Sequence, residues 1–254
     1  MRDVVEAGET ALGARVGTFS PEIIEVYGDL GLDYAWLDLE HGGPSAYDSK
    51  ELAHFVRAAA TADTDLMTRL PKDDPALVRR VLDAGVRTIL LPRVETVEDV
   101  RPAVEAAHFE LDGKVGERGI GGERSSSWGE FTDGYTTRED ETVLVGAMVE
   151  NKTAVENLDE LLSISGLGFI FIGPADLSVS LGHPMEKTHP DVEAAIKRIK
   201  ESALSADVPV GRIATDVDDA KEAASNGYAI LRIGGEISAA KSVIGDRLER
   251  FHGE

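Results

Sequence analysis

Short apolar runs alternate along this chain with longer stretches in which apolar residues recur every three or four positions. Two runs set the pattern: Val143 to Glu150 and Phe169 to Asp176 carry no charge until a single carboxylate at the end. Both are rich in β-branched and aromatic side chains, as strands buried on both faces of a parallel sheet require. Between them, Asn151 to Ser165 places Ala154, Val155, Leu158, Leu161 and Leu162 on one helical stripe. The unit is strand, helix, strand, and two parallel strands bring Glu150 and Asp176 to the same rim of a sheet.

The same alternation extends over the whole chain. Further strands are expected at Ala14 to Phe19, Tyr34 to Leu39, Asp65 to Arg69, Thr88 to Pro92, Val208 to Ile213 and Tyr228 to Ile233. Helices are expected from Ser20-Pro21 to Gly28 or Gly31, from Ser45 to Thr61, from Asp74-Pro75 to Gly85 and from Thr96 to Ala107. Three more follow, from His189-Pro190 to Ala206, from Asp216 to Asn226, and after strand eight to the end. Serine or aspartate caps followed by proline mark several of the starts, and glycine several of the stops. Eight strands alternating with helices over 254 residues predict an α/β fold, a single-domain (β/α)8 TIM barrel, with an open doubly wound sheet as the alternative. One region breaks the rhythm: residues 108–142 are expected to form a long glycine-rich loop. Its Gly116 to Gly122 stretch follows no strand directly and lacks a Gly-Lys-Ser/Thr, so it is no phosphate-binding loop.

In such barrels chemistry gathers where strands end. Strand two presents Asp38 and His41 there, strand three Arg69, strand four Arg93, strand five Glu150 and strand six Asp176. Glu150 and Asp176 are hard oxygen donors of the kind that hold a divalent cation such as Mg2+ or Mn2+, leaving positions open for water and substrate. Each residue also has a plainer reading, as a helix cap, a solvated loop residue or a surface ion pair. The remaining histidines, His54, His108, His183, His189 and His252, are read as structural or solvated.

Composition narrows the choice. A net charge of -21 disfavours nucleic acid as a partner, and no basic patch interrupts it. The same acidity, with arginine above lysine, suggests adaptation to high salt. No cysteine is present, which excludes disulfides, thiolate metal sites and a cysteine nucleophile. No apolar run approaches the roughly 20 residues of a membrane helix, and a cytoplasmic location is expected.

Four stretches carry a resemblance that spans nearly the whole chain. They are Trp36-Leu37-Asp38-Leu39-Glu40-His41, Gly116-Glu117-Arg118-Gly119-Ile120-Gly121, Val149 to Ala154 with Asn157-Leu158-Asp159, and Phe171 to Ser178. Together they resemble the HpcH/HpaI aldolase/citrate lyase family, and within it the 4-hydroxy-2-oxoheptanedioate and 2-keto-3-deoxy-sugar-acid aldolases. The resemblance implies a metal-dependent pyruvate aldolase that reversibly cleaves a 4-hydroxy-2-oxo acid to pyruvate and an aldehyde. It implies Glu150 and Asp176 as metal ligands, Arg69 as the charge facing the enolate oxygen, and His41, oriented by Asp38, as general base. The amides of Ala175 and Asp176 would hold the pyruvate carboxylate, and Met148 and Ile213 would line the pocket. It also implies a homohexamer whose last helix is exchanged between neighbours.

Three features depart from the usual family pattern: Met148 in place of a glutamine, a shortened Gly121 to Trp128 stretch, and Arg232 with Gly234-Gly235-Glu236 at strand eight. They bear on the aldehyde rather than on pyruvate. A Schiff-base aldolase needs a lysine on an inward strand position, and no expected strand has one. A coenzyme A-thioester lyase of the same family should show a basic groove for the nucleotide, against which the compact acidic chain argues, and a barrel that binds 2-oxo acids without turnover is the alternative from another class. Glycines after strand eight also admit a phosphate site, or simply a close start for the last helix.

Overall fold

The computed structural model describes residues 1–253. Eight parallel strands close into a barrel: β1 Ala11–Arg15, β2 Tyr34–Asp38, β3 Asp65–Arg69, β4 Thr88–Leu91, β5 Leu144–Val149, β6 Leu167–Ile172, β7 Val210–Ile213 and β8 Ile230–Gly235. Each strand hydrogen-bonds its neighbours in chain order, and β8 returns to β1. Helices follow the strands on the outside, so one face of each strand meets helices and the other meets the barrel interior.

The interior is set by a period of two. Tyr34 and Trp36 on β2, Met67 on β3, Leu90 on β4, Leu144 and Met148 on β5, Phe169 and Phe171 on β6 and Ile230 on β8 form one inner cluster with Met1 and Ala11. The aromatic rings fit because glycines stand opposite them. A Cβ on Gly13 would lie 2.4 Å from the Tyr34 ring, one on Gly146 2.2 Å from Phe169 and one on Gly211 2.4 Å from Phe171. Trp36 and Phe171 meet edge to face at 4.8 Å, an arrangement aromatic quadrupoles favour. This packed stack closes the floor of the barrel. The alternate residues, among them Ala35, Leu37, Ile89, Val145, Ile170 and Ile172, belong to the larger cluster beneath the helices.

Three expectations about elements change. The first strand lies at Ala11–Arg15 rather than at 14–19, because Phe19 turns left-handed (φ 53) just before the helix that begins at Pro21. The helix expected over 151–165 is two short helices, Lys152–Glu156 and Leu158–Leu162. Asn157 breaks it, with φ -94 and ψ 13 and an amide that donates to the Glu95 carbonyl at 3.0 Å. Within residues 108–142 the structure has a hairpin of Glu110–Leu111 and Lys114–Val115, a 3-10 turn at Arg124–Ser126 and a helix at Tyr135–Thr142. Glu139 ties that segment to the barrel by pairing with Arg118 and with Arg87.

The last helix, Glu236–His252, buries none of its residues. Its first residue anchors it, since the Glu236 carboxylate accepts from the amides of Gly17 and Thr18 and from the Tyr27 hydroxyl. A carboxylate therefore takes the donors a phosphate would need. Gly235 lets the helix start close to β1, where a Cβ would stand 2.9 Å from the Arg15 carbonyl.

Candidate active site

The inward series continues one step past the apolar layers, and there the chemistry begins. Asp38 follows Trp36, Arg69 follows Met67, Glu150 follows Met148, and Gly173 follows Phe171, each two residues on. Asp38 and Arg69 are register partners on β2 and β3. Arg69 donates from Nε to Asp38 Oδ1 at 2.9 Å and from Nη2 to Oδ2 at 2.7 Å, the two-pronged geometry that fits guanidinium to carboxylate. Burial alone would push the Asp38 carboxyl up, but the hydrogen bonds and charge of Arg69 outweigh it and hold the group below its usual value. Arg15 Nη2 approaches the same Oδ2 at 3.4 Å.

Asp38 also shapes the turn that follows it, accepting from the backbone amides of Glu40 at 3.2 Å and His41 at 3.4 Å. Glu40 folds inward, with Oε2 2.9 Å from Arg69 Nη1 but outside good hydrogen-bond alignment. The His41 ring points outward, its side chain 62% exposed, and Nε2 lies 3.4 Å from Glu40 Oε2.

Glu150 is 3% exposed. Its Oε1 accepts from the Arg93 amide at 2.7 Å, and Arg93 takes a left-handed φ of 53 that aims that amide. Its Oε2 is buried without a donor among the described residues. Burial, joined by the negative charges of Asp176 and Glu40, pushes the carboxyl up to about 7 against the opposing Arg93 hydrogen bond. Gly173 keeps space beside this oxygen, since a Cβ there would lie 2.7 Å from Oε2 and 3.2 Å from Met148 Cε. Asp176 stands in the first turn of the helix Pro174–Ser180. In that turn the amides of Ala175 and Asp176 have no intrahelical acceptor. A buried carboxylate oxygen without a donor, a glycine beside it and a second carboxylate near enough to raise its pKa suit a hard divalent cation.

These features can be set against known proteins. The sequence profile of the HpcH/HpaI aldolase/citrate lyase family matches residues 14–242. The chain belongs to that family. A 2-keto-3-deoxy-L-rhamnonate aldolase of Klebsiella pneumoniae is 32% identical over 246 residues, covering 96% of this chain and 90% of the relative. Among solved structures, an HpcH/HpaI aldolase/citrate lyase family protein from Burkholderia cenocepacia superposes with a TM-score of 0.90 at 30% identity, covering 99% of this chain and 98% of that one. The HpcH/HpaI aldolase from Desulfitobacterium hafniense gives a TM-score of 0.88 at 28% identity, with 99% and 96% covered.

In this HpcH/HpaI barrel the structure brings Asp38, Arg69, Met148 and Glu150 together, with Arg69 Nη1 3.5 Å from Met148 Sδ. Ile213 packs against the inner cluster. Arg93 contributes its backbone, while its side chain is exposed. Asp38 reaches His41 through the backbone amide, and the carboxylate beside the imidazole belongs to Glu40. Two participants escape the strand-end pattern of the sequence, Glu40 and Arg15. Both follow the inward parity, Glu40 two after Asp38 and Arg15 two after Gly13, and that signal would have found them. Arg232, also inward on β8, stacks its guanidinium 5.1 Å over the Trp36 ring. Burial holds Arg232 below its usual value, with repulsion from Arg15 and Arg69 adding to it.

Proposed function

We propose that this chain is a class II, divalent-metal-dependent pyruvate aldolase, cleaving a 4-hydroxy-2-oxo acid to pyruvate and an aldehyde and running in reverse as a carbon-carbon bond former. The observation that carries the reading is Glu150 Oε2, a buried carboxylate oxygen without a donor, beside space that Gly173 keeps open. Glu150 and Asp176 would hold the cation, Mg2+ or Mn2+. When bound, that cation polarises the keto group of the 2-oxo acid and makes the carbon next to it easier to deprotonate.

The chain's own residues supply the rest. Arg69 is fixed at one edge by Asp38, which leaves Nη1 turned toward Glu40 and Met148. That nitrogen supplies the charge facing the oxygen that becomes negative as the enolate forms. The amides of Ala175 and Asp176 receive the substrate carboxylate at a helix start. His41 acts as general base: in cleavage it takes the proton of the 4-hydroxyl as the C3–C4 bond breaks, the aldehyde leaves, and C3 is then protonated to the methyl group. Asp38 positions His41 through its backbone, and Glu40 stabilises the imidazolium that results.

The relative from Klebsiella pneumoniae is named for 2-keto-3-deoxy-L-rhamnonate, which supports a 2-keto-3-deoxy sugar acid as the substrate class here. For assembly we favour a homohexamer built by exchange of the last helix. Ile237, Ile244, Leu248 and Phe251 fall on one side of that helix and are 46%, 62%, 57% and 83% exposed, an apolar stripe that a neighbouring copy would cover. No helix among the described residues is long and apolar enough to cross a membrane. The cytoplasmic location and adaptation to high salt belong to the same proposal.

The deciding experiment is solvent deuterium exchange into the pyruvate methyl group, followed by NMR with Mn2+ or Mg2+ and again with chelator. Exchange that requires the metal and is lost in Glu150→Ala and His41→Ala is expected. Absence of exchange under every metal and salt condition would favour the non-catalytic binding barrel. Sedimentation of the intact chain beside Ile244→Asp/Leu248→Asp tests the assembly, with dissociation expected in the variant.

A further inference from the structure

The turn between the helices Pro174–Ser180 and Pro190–Ser205 carries side chains that the aldolase chemistry does not use. The amide of His183 donates to Ser178 O, five residues back, and two three-residue steps follow, Glu186 to His183 O and His189 to Glu186 O. Residues three apart in such turns share a face, so His183, Glu186 and His189 project together. Each offers a ligand atom, and these atoms all lie within 4.8 Å of one another. The two imidazoles stack at 3.4 Å with 15° between their planes. Asp191 joins them, its Oδ2 3.1 Å from His183 Nε2 and 3.7 Å from His189 Nδ1.

The donor atoms are close enough to reach one ion once the stacked rings, whose lone pairs lie in near-parallel planes 3.4 Å apart, turn toward it. Donors around a tetrahedral ion with bonds near 2.05 Å sit roughly 3.3 Å apart. The contact a cation displaces is weak, since the Asp191 amide reaches His189 Nδ1 at 3.3 Å. Both rings are partly buried, at 25% and 29% side-chain exposure, so part of their ordering is already in place.

We infer that His183, His189 and Asp191, with Glu186 within reach, form a second metal site that takes a borderline transition ion of the Zn2+ or Co2+ type. Two imidazoles select that class, whereas the oxygen-only pair Glu150 and Asp176 selects Mg2+ or Mn2+. The site is a staple. It joins the start of Pro190–Ser205 to the turn that leaves Pro174–Ser180, which is already fastened by the Met185 amide donating to Ser178 Oγ at 3.1 Å. Its ion would steady the helix bearing Asp176 without touching substrate. The histidines are thereby ligands rather than the solvated residues that the sequence pattern alone suggests.

The test titrates the chelator-stripped, full-length protein with Co2+ in excess Mg2+, reading visible ligand-field absorption, with Zn2+ calorimetry in parallel. His183→Ala removes one imidazole, and His189→Asn keeps a helix-capping acceptor at that position. Glu150→Ala disables the oxygen site. We expect one equivalent bound with nitrogen-ligand absorption in the wild type and in Glu150→Ala, and affinity reduced tenfold or more in both histidine variants. Zn2+ should raise the unfolding midpoint of the wild type and leave that of His183→Ala unmoved. Equal binding by wild type and histidine variants would overturn the assignment, as would wild-type binding weaker than about 1 mM or loss of the spectrum in Glu150→Ala alone. Because no arm reads catalysis, the result stands apart from the aldolase proposal.

Discussion

Arg69 and Asp38 face each other across neighbouring strands, joined through Nε–Oδ1 at 2.9 Å and Nη2–Oδ2 at 2.7 Å in a nearly solvent-free layer. The pair fixes one edge of the guanidinium, and the other edge faces Glu40 Oε2 at 2.9 Å and Met148 Sδ at 3.5 Å. Arg69→Lys keeps the charge but not the fork. Breaking a buried pair of this kind costs about 3–5 kcal/mol when one partner is removed, and less when an ammonium remains. We expect kcat to fall by about 10²–10³, measured by steady-state cleavage, with a lowered urea midpoint. Asp38→Asn should also lower the midpoint, because it leaves Arg69 charged and half-satisfied.

Glu150 links pH to stability and, on the proposed role, to metal binding. Its folded value, about 7, lies above the usual 4.5, so between those values the folded chain holds a proton that the unfolded chain has lost. Its contribution is fully present below 4.5 and is lost as pH rises through 7, a change of about 3 kcal/mol in the metal-free protein. Urea unfolding against pH should show this decline with chelator, and Glu150→Gln should flatten it. Divalent cation competes with the same proton, so Mn2+ affinity should rise as pH climbs toward and past 7.

Gly173 has an ordinary φ of -104, so alanine meets no backbone penalty there and acts only through its Cβ. That carbon would lie 2.7 Å from Glu150 Oε2. Gly173→Ala should weaken Mn2+ binding tenfold or more in calorimetry, with a stability loss of about 1–3 kcal/mol from overpacking. Unchanged Mn2+ affinity would mean that the space beside Oε2 is not where the ion sits.

Net charge of -21 makes the folded chain repel itself. Simple screening is largely complete once the Debye length falls to about 3 Å, near 1 M salt. If the acidic surface reflects adaptation to high salt, the thermal midpoint will continue to rise with KCl beyond that point. A plateau reached well below 1 M would leave screening as the whole explanation.

The barrel was legible because its strands are apolar on both faces and its helices start at proline and acidic caps. Glu150 and Asp176 stood out in the sequence as the single charge ending each of two apolar runs. What the pattern hid came from two sources. One was local conformation: left-handed Arg93 turns a backbone amide onto Glu150, and Asn157 divides a continuous apolar stripe into two helices. The other was parity at strand ends. Glu40 looks like a solvated turn residue until Asp38 is placed inward and the next alternate position is followed. His183 and His189 lie in a segment without periodicity, so only the folded turn brings them together.

The buried rings of Tyr34, Trp36, Phe169 and Phe171 fill the barrel interior beneath the rim residues. On the proposed site, the reactant seated against Glu150 and Arg69 would lie under the one that joins it at the mouth, and traffic would be last in, first out. Cleavage should release the aldehyde before pyruvate. Pyruvate should accordingly act as a competitive product inhibitor, and the aldehyde as a noncompetitive one.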